Sequence, residues 1–373
     1  MNDQALTHKQ LFWLFLSMQV IMIMLLTPVA SIKEAKQDAW ISSILATSIS
    51  LIIMWSSIKV CSKYPSLDFH EIIEKIIGKW FGRFLSIVLL ISFTIVLALI
   101  LRQYGEFISG TILPRTPVSV IIFCILAAAI YPTFHGISVI GRLAEIFGPI
   151  LILGILIPIL LGVGNMHFNH LLPPFYDSGV LQIILGSLAP SVFLSDCILV
   201  LWLYNLSEHH SKKNKYLMMS ILVSGILYLL TVISIITTFG VKLASSHFYP
   251  FLLLERYISI FGVIENLDSI IITVWILSIF LKICLYLFVI SYGFSRYTIK
   301  KNRKKMLLYI VILVYVFSLL PRNVIESSIE FPEKIAVRYI LPFWVILPLY
   351  LVLVYYFKSK KDKHKQSKQQ TLP

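Results

Sequence analysis

Charge is what this chain has least of. Only 13% of its 373 residues are Asp, Glu, Lys or Arg, while 58% are hydrophobic; an ordinary soluble domain carries roughly a quarter of its residues charged. The shortage falls on one sign, with 18 acidic residues against 32 basic ones. Cysteine is also scarce: Cys61, Cys124, Cys197 and Cys284 lie inside or at the ends of apolar runs with no paired spacing, which excludes a disulfide framework and a zinc site built from them. Phosphate-cradling glycine loops, dinucleotide fingerprints, nucleophile elbows and paired carboxylates on a catalytic scaffold are missing as well. His167-Phe168-Asn169-His170 is the one histidine pair at metal-like spacing, and it lacks the glutamate and helix of a zincin motif. Enzyme is therefore the least supported class, and neither cofactor nor metal is expected.

What the chain has instead is a series of long apolar runs: Leu11 to Thr27, Trp40 to Val60, Phe84 to Tyr104, Val118 to Phe134, Leu143 to Gly164, Ile183 to Leu206, Leu217 to Gly240, Ser269 to Gly293, Met306 to Leu320 and Tyr339 to Phe357. Each approaches the roughly 20 residues that a helix needs to cross about 30 Å of hydrocarbon. In lipid only helices and closed barrels satisfy every backbone polar group, and these runs lack the period-two alternation of barrel strands. The expected fold class is an all-α integral membrane protein of about ten transmembrane helices, covering residues 1–357, followed by a basic tail, 358–373.

Lys and Arg are retained on the cytoplasmic side, and here they fall mostly in every second loop. With the N-terminus inside, the cytoplasmic segments collect Lys63, Lys75, Lys79 and Arg83, then Lys212, Lys213 and Lys215, then Arg296 through Lys305, then the tail from Lys358 to Lys368. The loop from Asn165 to Gln182 has none. Both termini are expected to be cytoplasmic, and the net charge of +14 reads as topology signal and attraction to anionic headgroups, not as a nucleic-acid footprint. Thr27-Pro28-Val29-Ala30 offers small residues like those of a cleavage site, but the preceding segment is poor in basic residues and cleavage would invert the topology; the first span is expected to be retained. The basic tail reads as a disordered, membrane-facing anchor.

Several motifs go beyond generic hydropathy. Met22 to Pro28 followed by Lys36-Gln37-Asp38-Ala39-Trp40-Ile41, then Arg142-Leu143-Ala144-Glu145-Ile146, Asn169-His170-Leu171-Leu172-Pro173, and Tyr249-Pro250-Phe251 with Glu255-Arg256, resemble the B subunit of spore germinant receptors. That family is similar in turn to amino acid/polyamine/organocation transporters. The resemblance implies a five-plus-five inverted-repeat bundle, a multi-pass protein of the spore inner membrane, a small nutrient ligand such as an amino acid, and A-type and C-type (lipoprotein) receptor subunits as partners. The chain departs from the family where relatives carry glycines in the first span, since Ile21 to Leu26 has none, and at Asn266, where relatives often have Arg.

Transporters of that kind bind substrate near mid-membrane, where the first and sixth helices are interrupted. Span six reads Gly186-Ser187-Leu188-Ala189-Pro190-Ser191, and Pro190 removes a backbone donor, so a break is expected there. In span one only Pro28 is present, at the end. Two ionisable residues stand inside spans, Asp196 in the sixth and Lys282 in the eighth, each costly to bury unless paired, hydrated or neutralised. Ser278 and Tyr286 share a face with Lys282, and Ser187, Ser191 and Ser195 precede Asp196 at helical spacing. The ligand-binding candidates are Thr27, Ser187, Ser191, Asp196, Ser278 and Lys282. Two readings of the charged pair stay open: residues lining a ligand cavity, with the Lys282 ammonium in the place of a coupling cation, or an interhelical ion pair that fixes packing. Arg102 with Glu106, and Arg142 with Glu145, read as local ion pairs near span ends. The loop from Lys242 to Asp268 contains a periodic apolar run, Phe251 to Phe261, expected as a short surface helix that covers the cavity or docks a partner. A sensing receptor subunit, a secondary amino acid transporter acting alone, and a scaffold that no longer binds ligand are the three functional readings.

Overall fold

The computed structural model describes residues 5–176, 178–208, 210–257, 268–298, 302–322 and 326–370. Its helices in chain order are α1 (His8–Ala35), α2 (Ala39–Cys61), α3 (Phe69–Ile77), α4 (Lys79–Thr111), α5 (Val118–His135), α6 (Ile137–Leu161), α7 (Val180–Leu194), α8 (Val200–Leu203), α9 (Lys213–Ser246), α10 (Pro250–Tyr257), α11 (Asp268–Ser295), α12 (Arg303–Ser318) and α13 (Leu341–Gln370). Every expected span matches one of them to within a few residues, the sixth being shared by α7, α8 and the 3-10 segments after each. Among the described residues, 8 helical segments are long and apolar enough to cross a membrane; α12, at 16 residues, falls short of that length.

Local chemistry explains how polar residues ride in these helices. α1 opens on a capping box, with Gln10 N donating to Thr7 Oγ1 at 3.1 Å and Thr7 N donating to Gln10 Oε1 at 3.1 Å. Along α2 the hydroxyls of Ser43, Thr47 and Ser50 each donate to the carbonyl four residues earlier, at 3.0, 2.8 and 3.0 Å. Those three hydroxyls are thereby satisfied within their own helix. α1 runs through the middle of the bundle against α6, α7, α9 and α11. Glycines at the crossings set how close the helices come. A Cβ on Gly148 of α6 would lie 2.2 Å from the Trp13 ring of α1, and one on Gly225 of α9 would lie 2.2 Å from Thr47 of α2.

Contacts between loops sort into two sets that match alternate loops of the chain. At the N-terminal face, Leu6 pairs with the segment after α8 (Leu6 N to Leu206 O, 3.1 Å; Glu208 N to Leu6 O, 2.9 Å) and Arg303 donates to Thr133 O and Phe134 O at 2.7 and 3.2 Å. At the opposite face Gln37 Nε2 donates to Pro173 O at 3.1 Å, His167 N to Thr237 O at 2.9 Å, and Gln103 Nε2 to Ser327 O at 3.1 Å. Asp38 there accepts from Phe175 N at 2.9 Å and from the Ser178 hydroxyl, pinning the loop after α6 to the α1–α2 turn.

Two sequence expectations are corrected, and a third falls partly outside the described residues. The described part of the tail does not leave the helix: α13 continues to Gln370 with Pro348 inside it. Arg102 pairs with Glu106 at 2.7 Å, but Arg142 and Glu145 form no ion pair with each other, so spacing alone did not bring those side chains together. The surface helix of the long loop is α10; the remainder of Phe251 to Phe261, and Asn266, lie outside the described residues.

The short helix α3 closes the N-terminal face and is held by His70. Its Nε2 accepts from Trp202 Nε1 at 3.1 Å, so the ring is neutral with its proton on Nδ1, which meets Tyr297 OH at 2.8 Å and Ser86 Oγ at 2.9 Å. Burial pushes the imidazole down to about 4. The folded state therefore binds fewer protons than the unfolded chain between that value and the ordinary 6.5, and the stability His70 contributes is present above pH 6.5 and lost as pH falls towards 4. The expected loss is roughly 3 kcal/mol across that window. Thermal melting of purified protein should show a falling midpoint that His70→Gln flattens; parallel pH profiles would contradict the assignment.

Candidate functional site

The interruption of span six sits lower than the proline implied. α7 runs unbroken through Pro190 to Leu194, and the chain then tightens into a 3-10 segment, Ser195–Leu199, before α8. Proline leaves the carbonyl of Gly186 without its helical donor, and Ser31 Oγ of α1 fills that place at 2.8 Å, so the helix survives its proline. A Cβ at Gly186 would lie 3.1 Å from Ser31 O and 2.9 Å from Ser42 Oγ, which is why a glycine stands at this crossing. In span one, α1 is helical from His8 to Ala35 with Pro28 inside it.

Asp196 is the second residue of the tightened segment, and it is buried at 1% exposure. Its Oδ2 meets the Lys282 ammonium of α11, itself at 0% exposure, and its Oδ1 accepts from the Tyr286 hydroxyl one turn further along. The Phe193 ring lies beneath the ammonium, 5.7 Å from its centroid. Two charges are thus removed from water and matched by each other, by one hydroxyl and by one aromatic face. Such pairs break roughly even against an apolar isostere, but removing one partner alone is strongly destabilising.

The neighbouring stretch of α1 is tied to both sides of this pair. Gln19 Nε2 donates to Leu194 O at 2.9 Å, and the Ser278 hydroxyl of α11 donates to Ser17 O. On α1, on α11 and in the tightened segment, four buried polar atoms have no hydrogen-bond partner among the described residues: Ser17 Oγ, Gln19 Oε1, Ser195 Oγ and Trp275 Nε1. Buried polar side-chain atoms are ordinarily satisfied, so these four stand out in the apolar bundle. On α11, Trp275 lies three residues before Ser278 and packs against Phe107 and Tyr104, with ring centroids 4.1 and 5.5 Å apart.

The six candidate residues separate into two levels. Asp196, Lys282 and Ser278 gather at the tightened segment. Thr27 lies with the second level, where Ser31 Oγ and Tyr228 OH are 3.0 Å apart and the Tyr228 hydroxyl also reaches Thr27 and Ser43. Ser187 and Ser191 turn back on their own helix, donating to Ile184 O at 2.7 Å and to Ser187 O at 2.6 Å. Ser17, Gln19 and Tyr228 were missed by sequence reasoning. Polar residues at positions 17 and 19 of an apolar run are a signal of the same kind as Asp196, weaker because neither is ionisable.

Spanning-length helices packed around a central α1, with a tightened sixth span beside a buried charge pair, define a secondary-transporter fold. The likeness to solved transporters agrees: MhsT in complex with L-phenylalanine superposes with a TM-score of 0.63 over 93% of this chain and 97% of that one at 12% identity, and a Na+-coupled sialic acid symporter with a TM-score of 0.59 over 90% and 77% at 14% identity. Within that fold the chain belongs to the spore germination protein family, whose family model matches residues 5–327. Spore germination protein KB of Bacillus subtilis is 24% identical over 366 residues, 97% of each chain, and spore germination protein YndE of the same organism is 25% identical over 327 residues, 87% of this chain and 89% of that protein. Family and fold are those of a germinant receptor or permease, not of an enzyme.

Proposed function

We propose that this chain is the B-type subunit of a germinant receptor and senses a small nutrient, an amino acid, at the junction of α1, the tightened sixth span and α11. The observation that carries the reading is the buried Asp196–Lys282 pair. An amino acid brings one ammonium and one carboxylate. Inserted between Asp196 and Lys282, it exchanges one buried ion pair for two, and lets α11 and span six separate without stranding a charge. Without ligand the same separation leaves both charges unpaired, at several kcal/mol each. Ligand thereby binds two conformations with different affinity, the condition for reporting its presence.

The described chain consists of the bundle and its short connections, so the output falls to partners, A-type and lipoprotein C-type subunits, docked on loops or on the bundle flank. The distribution of basic residues supports a cytoplasmic N-terminal face. Tyr176, 80% exposed at the opposite face, is the reporter of choice, because Ser178 is buried against Asp38; Tyr176→Cys should react with an impermeant thiol reagent from outside only. The likeness to substrate-bound transporters favours a second reading, uptake by this chain alone. Deleting the gene in the spore-former and assaying the purified chain in liposomes separates the two. Loss of response to one nutrient without autonomous uptake supports the receptor, whereas uptake of amino acids with germination unchanged establishes the transporter.

A further inference from the structure

α3 has 9 residues, fewer than the roughly 12–15 below which a helix is marginal by itself in water, so its order comes from what holds it. Two of its holds come from the two elements that carry the charge pair. On the span-six side, Trp202 of α8, just past the tightened segment, donates its indole N–H to His70 Nε2 at 3.1 Å and packs on the Phe69 ring, with centroids 4.4 Å apart. Asn205 beyond it donates to Tyr64 O at 3.2 Å and to Leu67 O. On the α11 side, the carboxylate of Asp68, the N-cap of α3, takes Arg296 and accepts from the Tyr292 hydroxyl at 3.0 Å, while His70 Nδ1 meets Tyr297 OH at 2.8 Å. His70 therefore bonds to both sides, one through each ring nitrogen. We propose that α3 is a clasp joining span six to α11 at the N-terminal face, and that it carries their separation at the Asp196–Lys282 pair out to the surface of the bundle.

The inference rests on the proposed role of the pair as the place where occupancy parts the two helices. Asp196 and Trp202 belong to the same half of span six, and Lys282 and Tyr292 to α11, so the elements that part at the pair are the ones that α3 joins. α3 cannot follow both. Its remaining wall is α4, where a Cβ on Gly82 would lie 2.9 Å from Ile73 O, so the helix is seated directly on its neighbour. Parting span six from α11 must break one attachment, and the two differ in what replaces them. Arg296 is 34% exposed, and water can take the place of Asp68 there. His70 and Trp202 are 5% and 3% exposed, and their hydrogen bond has no such substitute. The α11 attachment is the one to yield, which frees the first turn of α3 at Asp68.

Hydrogen exchange read by mass spectrometry on the purified full chain in detergent tests the clasp without any nutrient. Lys282→Met strands the Asp196 charge and drives the two elements apart; Asp196→Asn strands the ammonium instead and serves if the first variant does not accumulate. Exchange of the α3 peptide should accelerate about tenfold or more in either, and return to the wild-type rate in the Asp196→Leu, Lys282→Met double variant, where no charge is left to part the helices. Peptides of α9, which packs mainly on α1 and α2, report global opening and should change less. In the reverse direction, His70→Phe should raise N-ethylmaleimide labelling of the buried Cys197, next to Asp196, by about the same factor, because coupling between two sites is reciprocal. Wild-type exchange of α3 in the single variants, acceleration no greater than that of α9, or unchanged labelling of Cys197 in His70→Phe overturns the clasp. Since no nutrient enters the assay, such a result leaves sensing by the pair to its own test in spores.

Discussion

Lys282→Met alone should destabilise the protein by about 3–5 kcal/mol, because Asp196 then keeps a buried charge with only the Tyr286 hydroxyl against it. Asp196→Leu should cost a similar amount by stranding the ammonium. The double variant, Asp196→Leu with Lys282→Met, should recover most of the loss, since two apolar side chains in a dry site have no charge to satisfy. Chemical denaturation of the detergent-solubilised proteins reads all three. A double variant as unstable as the sum of the singles would mean that the two residues do not act as a pair. The cycle also prepares a functional experiment, for it yields a folded bundle from which both charges are gone.

How much could be read beforehand follows from which forces act locally. The spans were legible because lipid imposes helix on any apolar run of sufficient length, and their order survived in α1 to α13. Asp196 and Lys282 were legible for the same reason: an ionisable residue inside such a run stands out against its neighbours. The position of the break was not legible. Pro190 is the local signal, but its effect depends on Ser31, 155 residues earlier, which takes up the carbonyl that proline leaves open. The tightening at Ser195–Leu199 has no comparable signal of its own; Asp196 there is bound by Lys282 and Tyr286 across a helix interface that sequence spacing does not reveal. Spacing likewise foresaw the Arg102–Glu106 pair but not that Ser187 and Ser191 donate to carbonyls of their own helix. Hydroxyls have a local way of being satisfied and need not face a ligand. A buried charge has no such local outlet.

The central claim is that the Asp196–Lys282 pair is where nutrient occupancy is read. Removing it should abolish response even in a bundle that folds and accumulates normally. The most direct measurement is germination of spores carrying the Asp196→Leu, Lys282→Met double variant, scored against the nutrient whose response is lost on gene deletion, with receptor abundance determined in the same spores. Wild-type abundance with the response lost is the result this account predicts. Wild-type abundance with wild-type response would show that the pair only holds α11 to the sixth span, and that the nutrient is sensed elsewhere.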